Sequence, residues 1–186
     1  MTPQLQAAWQ THEVLAALGH RHALIGGLAV QFWGQPRFTR DVDMTVLVEP
    51  GQERKLAEAL LKHFDPRFPD AVDFALAHRV LLLRSQDSCD LDISFGLPGY
   101  ESQVMDRAVP LELGEGRCLP VISAEDLLIH KFLAARPRDL EDARAVLLRQ
   151  RSRLDLGLVR HWLSIFSELQ EDDTPLKVLE NLLTDL

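Results

Sequence analysis

The chain has 186 residues, 46% of them hydrophobic and 26% charged, and a net charge of −8, which speaks against a protein that coats nucleic acid without sequence preference. That length fits one domain, or one domain with a small helical appendage, and buries enough surface to fold without covalent staples. Cys89 and Cys118 form no C-x-x-C pair and suit a reducing, cytoplasmic compartment; the opening MTPQLQAAWQ lacks the basic start and apolar core of a signal peptide, and no apolar run reaches the roughly 18 residues of a membrane span.

In chain order, Leu5 to Leu18 predicts a helix with Leu5, Ala8, Trp9, Leu15 and Leu18 near one face, stopped by Gly19. HALIGG reads as a short buried strand running into a tight turn, and GLAVQFWG as a short helix closing at Gly34. QPRFTR is a polar, Pro-broken loop. DVDMTVLVEP is a strand whose acidic start sits at the rim and whose apolar run ends at Pro50. GQERKLAEALLKHF is helical by period. RVLLLRSQ and CDLDISFG are two strands with QDS turning between them. YESQVMDRA reads as a short helix and VPLEL as a short strand. From Ser123 onward the pattern is helical: Ser123 with Asp126 resembles a capping box, Pro137 ends the first helix, and DLEDARAVLLRQ and the tail after Leu154 supply the rest. The fold class is therefore α+β: a mixed sheet with flanking helices over residues 1–120, and a helical part over residues 121–186.

Asp41 and Asp43 carry the main chemical signal. Residues two apart on a strand share a face, so the two carboxylates repel each other unless a cation offsets them. Such a rim pair suits Mg²⁺, which takes few protein carboxylates and completes its shell with water and phosphate oxygens. A third carboxylate is expected from CDLDISF, as Asp90 or Asp92; Asp92, deeper in the strand between Leu91 and Ile93, is preferred. A carboxylate there needs a partner, and can serve as general base toward an attacking hydroxyl. Upstream, Gly26 and Gly27 end a strand and open a helix, where free N–H groups attract phosphate. DVDMTV also satisfies the D-x-D-x-T pattern of haloacid-dehalogenase-like phosphatases. Those place the first Asp at the carboxyl end of an apolar strand, whereas here the apolar run follows the acids.

The stretch IGGLAVQFWGQPRFTRDVDMTV resembles the signature of the DNA polymerase β-like nucleotidyltransferase superfamily: a glycine turn, a short helix, then D-x-D on the next strand. Its R-x-T-x-D-x-D form, Arg37, Thr39, Asp41 and Asp43, is similar to the minimal nucleotidyltransferases and the AbiEii-type toxins of bacterial type IV toxin–antitoxin systems. VISAEDLLIHKFLAARPRDLEDARAVL resembles the same group. The resemblance implies a mixed sheet carrying the carboxylates, a helical C-terminal part, and transfer of a nucleoside monophosphate from an NTP to an acceptor hydroxyl with two Mg²⁺ ions. It implies that Asp41, Asp43 and Asp92 hold the metals, that Gly26 and Gly27 line the triphosphate, that Lys131 meets phosphate, and that Arg37 and Thr39 shape the mouth of the site. Many active relatives carry Ser where Gly27 stands.

Lys131 lies beside the apolar stripe of its helix, where a lysine can also snorkel to water. Asp139 and Asp142 are placed to pair with Arg136 or Arg138 and lock two helices together. His130 reads as a packing or surface residue, and Trp9, Phe32, Trp33 and Phe132 as core. Arg136, Arg138, Arg144, Arg149, Arg151, Arg153 and Arg160 crowd one stretch, interleaved with acids. They form either a balanced solvated surface or a patch for RNA phosphates. The expected partners are an NTP, and tRNA or a cognate antitoxin protein. The alternatives are a regulatory module that binds nucleotide or a partner without turnover, and an enzyme that modifies an antibiotic.

Overall fold

A computed structural model describes residues 1–185, which divide by their contacts into two units: residues 1–28 with 38–122, and residues 29–37 with 123–185. The first unit carries a seven-stranded mixed sheet. Its strands are β1 (His22–Leu24), β2 (Asp41–Leu47), β3 (Asp65–Pro66), β4 (Val80–Arg84), β5 (Asp90–Gly96), β6 (Val109–Gly114) and β7 (Arg117–Val121), in the order β3-β4-β5-β2-β1-β7-β6. β2 pairs parallel with β5, and β1 parallel with β7; the other neighbours are antiparallel.

The central strands form because their side chains alternate. In β2, Val42, Met44 and Val46 are fully buried while Asp41 and Asp43 are half-buried on the other face; in β5, Leu91 and Ile93 are buried and Asp90 and Asp92 alternate with them. The β4–β5 hairpin closes at Ser85–Cys89, where Ser85 N–H donates to Cys89 O at 2.8 Å and Cys89 N–H to Ser85 Oγ at 3.1 Å.

Helix α1 (Pro3–Ala17) starts with Pro3 in its first turn and Thr2 Oγ1 accepting from Leu5 N–H, and it buries Ala7, Ala8, Thr11 and Leu15. Leu18, expected on that face, lies past the helix end and is 40% exposed. Helix α2 (Gly26–Trp33) follows β1 directly. Helices α3 (Glu53–Leu60), α4 (Ala71–His78) and α5 (Tyr100–Arg107) complete the first unit.

The second unit is helical: the end of α2, then α6 (Ala124–Ala134), α7 (Pro137–Gln150), α8 (Leu156–Gln170) and α9 (Thr174–Thr184). Ser123 caps α6, its hydroxyl accepting from Asp126 N–H at 3.0 Å and donating to the Asp126 carboxylate at 2.7 Å. Ala135, at φ 49°, ends that helix in the left-handed region, and Pro137 opens the next. Of the aromatic residues expected in the core, only Phe132 is fully buried. Trp9, Phe32 and Trp33 are half-exposed, Phe32 and Trp33 stacked edge-to-face with ring centroids 4.6 Å apart. No helix among the described residues is long and apolar enough to cross a membrane.

Candidate active site

The parallel register of β2 on β5 sets Asp41 beside Asp90 and Asp43 beside Asp92. Four carboxylates thus stand in a two-by-two array on one face of the first unit's sheet. Left alone, such an array destabilises the fold by like-charge repulsion. Two arginines offset one side of it. Arg84 Nε donates to Asp90 Oδ1 at 2.9 Å, and the Arg67 guanidinium spans both acids of β5, 3.4 Å from Asp90 Oδ2 and 3.3 Å from Asp92 Oδ1. Burial pushes the Asp92 carboxyl above its ordinary range, with Asp41 and Asp90 adding to the shift and Arg67 opposing it. Asp92 Oδ1 is nonetheless a buried oxygen that accepts no hydrogen bond, because Arg67 approaches it out of line. Arg67 follows D-P in a stretch with no helical or strand period, so sequence patterning carries no sign of this role.

The acids of β2 are held by the glycine turn and by Thr39. Ile25 N–H donates to Asp43 O at 2.9 Å, which lays the turn against the strand, and Gly27 N–H points at Asp43 Oδ2 from 3.4 Å. Gly26 sits at φ +62°, and a Cβ there would lie 2.0 Å from Asp43 Oδ2. A Cβ at Gly27 would meet Thr39 Oγ1 at 2.6 Å. Thr39 is 7% exposed, and its hydroxyl donates to Asp41 Oδ1 at 2.8 Å. Gly26, Gly27, Thr39, Asp41, Asp43 and Asp92 are therefore brought together in one unit.

Arg37 and Lys131 belong to the second unit, where they share one carboxylate. Arg37 grips Asp142 through Nε and Nη2 at 2.6 and 2.7 Å, and Lys131 Nζ sits 2.7 Å from Asp139 Oδ1 and 2.9 Å from Asp142 Oδ2. Lys131 is 8% exposed, so it neither snorkels to water nor stands as an isolated charge. Asp139 and Asp142 do lock the two helices together, through Lys131; Arg136 reaches Asp139 at 4.0 Å, and Arg37 grips Asp142 from the segment after α2. Burial pushes the Asp142 carboxyl up, but the hydrogen bonds from Arg37 and Lys131 and their charges outweigh it and hold the carboxyl below its ordinary value. Asp139 Oδ2 stays buried with no hydrogen-bond partner. The same unit stitches residues 29–37 to α7: Arg149 donates to Gly34 O and Gln150 Nε2 to Trp33 O at 2.6 Å, while Gln31 Nε2 donates to Arg37 O at 2.7 Å within the segment.

Among the described residues no three His, Cys, Asp or Glu side chains converge closely enough to hold a metal ion as they stand. The donor set of the β2–β5 face nevertheless fits a hard divalent cation: adjacent carboxylates, one buried oxygen without a hydrogen bond, and a glycine backbone packed against Asp43 where any side chain would collide.

Known proteins share this architecture. The fold is similar to that of the antibiotic-resistance factor ANT(2″)-Ia, both in solution (19% identity over 90% of this chain and 97% of that one, TM-score 0.52) and in complex with adenylyl-2″-tobramycin (18%, 89% and 99%, TM-score 0.54). It is also similar to an antigenic nucleotidyltransferase-like protein from Paracoccidioides brasiliensis (18%, 95% and 94%, TM-score 0.51). No curated protein matches the sequence. The model of the nucleotidyl transferase AbiEii toxins of type IV toxin–antitoxin systems matches residues 9–163, and the chain belongs to that family.

Proposed function

We propose that this chain moves a nucleoside monophosphate from an NTP to an acceptor hydroxyl, with Asp41, Asp43 and Asp92 as its catalytic carboxylates. The observation that carries this is the register of β2 on β5, which stacks Asp43 against Asp92 beside a glycine turn. Asp41, Asp43 and Asp92 would hold divalent cations, Mg²⁺ by donor type, which would supply charge neutralisation for the triphosphate and for the attacking and leaving oxygens. Asp92, whose proton affinity burial raises, is suited to take the proton of the attacking hydroxyl. The backbone at Gly26 and Gly27 lies against Asp43 and carries no side chain of its own to hold a triphosphate away from it. Thr39 orients Asp41 through its 2.8 Å hydrogen bond.

Membership of a toxin family favours an RNA end or a protein side chain as acceptor, and a cognate antitoxin as partner. RNA has one further support: Arg136, Arg138, Arg144, Arg149, Arg151, Arg153 and Arg160 are all exposed, and phosphate contacts require accessible cations. An antibiotic acceptor would follow the activity of ANT(2″)-Ia, whose likeness extends to fold alone. The residues 1–120 serve as the catalytic core, and the helical part from 121 packs Lys131 between Asp139 and Asp142.

The test is pyrophosphate release from each NTP with Mg²⁺ and total tRNA, beside an Asp41→Ala, Asp43→Ala control. Release that requires tRNA and disappears in the control supports a tRNA nucleotidyltransferase. NTP binding without release under every acceptor tried moves the weight to a module that binds nucleotide without turnover.

A further inference from the structure

Resting on the assignment of Asp41, Asp43 and Asp92 to a divalent-cation site, we propose that Arg67 is a positioning residue that occupies the Asp92 side of that site and must be displaced before the third carboxylate engages a cation. Its guanidinium fork lies across Asp90 Oδ2 and Asp92 Oδ1, at 3.4 and 3.3 Å. That grip is loose beside Arg37 on Asp142, where both contacts are in line at 2.6 and 2.7 Å. Asp92 Oδ1 stays without a hydrogen bond although a guanidinium nitrogen is near, so little bonding holds the pair closed. Asp90 has a second partner, Arg84 at 2.9 Å, and remains paired if Arg67 departs.

Arg67 is also built to swing. Its backbone N–H is fixed to Leu82 O at 3.1 Å, and Leu82 registers with Asp92, so the root of the side chain stays beside the site while the head moves. The side chain is 23% exposed, which leaves a route to water. Without a metal, the guanidinium offsets the repulsion among the four acids. With one, it is a like charge competing for the same oxygens. The carboxylates do not converge as they stand, as expected if Asp92 turns inward only once Arg67 has released it.

Mn²⁺ binding to the full chain without nucleotide, followed by calorimetry and by the signal of free Mn²⁺, tests this on the wild type, Arg67→Gln, Arg67→Lys and Asp43→Asn. Arg67→Gln is expected to bind Mn²⁺ on the order of tenfold more tightly while its metal-free melting temperature falls, and Arg67→Lys, keeping the charge, to bind as the wild type does. Arg67→Met, which keeps the apolar stem, makes the same comparison if Arg67→Gln does not fold. Unchanged or weaker binding in both neutral variants, with binding still lost in Asp43→Asn, overturns the role of Arg67 and leaves the metal site in place. Tighter binding in Arg67→Lys to the same extent as in Arg67→Gln overturns the charge competition. A wild type that binds no Mn²⁺ removes the metal site and this inference with it.

Discussion

Gly26 and Asp43 stand closer than any other residue at position 26 would allow: a Cβ on Gly26 would fall 2.0 Å from Asp43 Oδ2 and 2.6 Å from Asp43 Cβ, on a backbone at φ +62°. Gly26→Ala is expected to force the carboxylate aside. The left-handed backbone costs an L-residue about 1–2 kcal/mol, and the overpacking about 1–3 kcal/mol. Urea denaturation should therefore show a loss of about 3 kcal/mol, with pyrophosphate release falling further than the folded fraction does. An unchanged midpoint would mean that the backbone at position 26 shifts enough to relieve both the contact and the strain.

Asp90 and Asp92 share a strand face but are expected to differ in function. Asp90 is the more exposed, at 38% against 29%, and it pairs with Arg84. Asp92 registers with Asp43 and carries the unbonded buried oxygen. Asp92→Asn should lower nucleotidyl transfer by about a hundredfold or more. Asp90→Asn should lower it only a few-fold and change stability by under about 1 kcal/mol, as for other exposed ion pairs. Equal losses in both variants would reassign the third carboxylate.

These two acids also mark how far the sequence could be read. β2 and β5 were legible because apolar residues alternate with acids at period two, and the face holding Asp41, Asp43, Asp90 and Asp92 follows from that alternation. The choice between Asp90 and Asp92 was only a preference, because it depends on the register of β5 against β2 and on two arginines. Arg67 sits in an aperiodic stretch and Arg84 at a strand end, and neither position signals a partner. β7 and α4 were not anticipated: RCLPV is five residues interrupted by Pro120, and AVDFALAH is as short as a helix can be while showing a period. The contacts of Lys131 with Asp139 and Asp142 cross the Pro137 boundary, beyond the reach of helical spacing, so the sequence does not pair these residues.

The buried cluster on α6 and α7 gives a prediction of its own. Asp142 is 3% exposed and takes charge from both Arg37 and Lys131. Asp142→Asn takes the buried carboxylate from Arg37 and one of two from Lys131, and is expected to cost about 3 kcal/mol in urea denaturation. Because the folded carboxyl titrates below its ordinary value, its contribution is present at neutral pH and lost as pH falls through the ordinary carboxylate range and then through the lowered folded value. The difference between wild type and Asp142→Asn should therefore shrink on acidification; a constant difference would place the effect in packing alone.

Histidines set the stability at milder acidity. His22 Nδ1–H donates to His20 O at 2.7 Å, which leaves Nε2 to accept from His12 Nδ1–H at 2.7 Å. A proton on His22 Nε2 would reverse that contact and force His12 Nδ1 to accept. Burial lowers both rings below the ordinary 6.5, and burial lowers His130, on α6, to about 4. The unfolded chain takes up these protons first, so the contribution is full above pH 6.5 and is lost as pH falls from there toward the lowered folded values. Urea denaturation should give about 2 kcal/mol less at pH 5 than at pH 7.5. His22→Asn, whose amide keeps a donor for His20 O, should make that slope shallower while the His130 share remains; a slope it leaves untouched would assign the effect to other groups.

Gly27 and Thr39 are matched in size. A Cβ at position 27 would lie 2.6 Å from Thr39 Oγ1 and 2.9 Å from Thr39 Cβ, both in a buried side chain that also holds Asp41 by hydrogen bond. Thr39 cannot retreat without releasing that acid. Gly27→Ser is therefore expected to cost about 1–3 kcal/mol here and to slow transfer by displacing Asp41. Thr39→Ala alone removes the 2.8 Å bond and should slow transfer with a smaller loss of stability. The double variant removes the Oγ1 contact while keeping the Cβ one, so its loss of stability should fall short of the sum of the two single losses by about 1 kcal/mol. Strict additivity would mean that the helix start, rather than Thr39, yields to the new side chain.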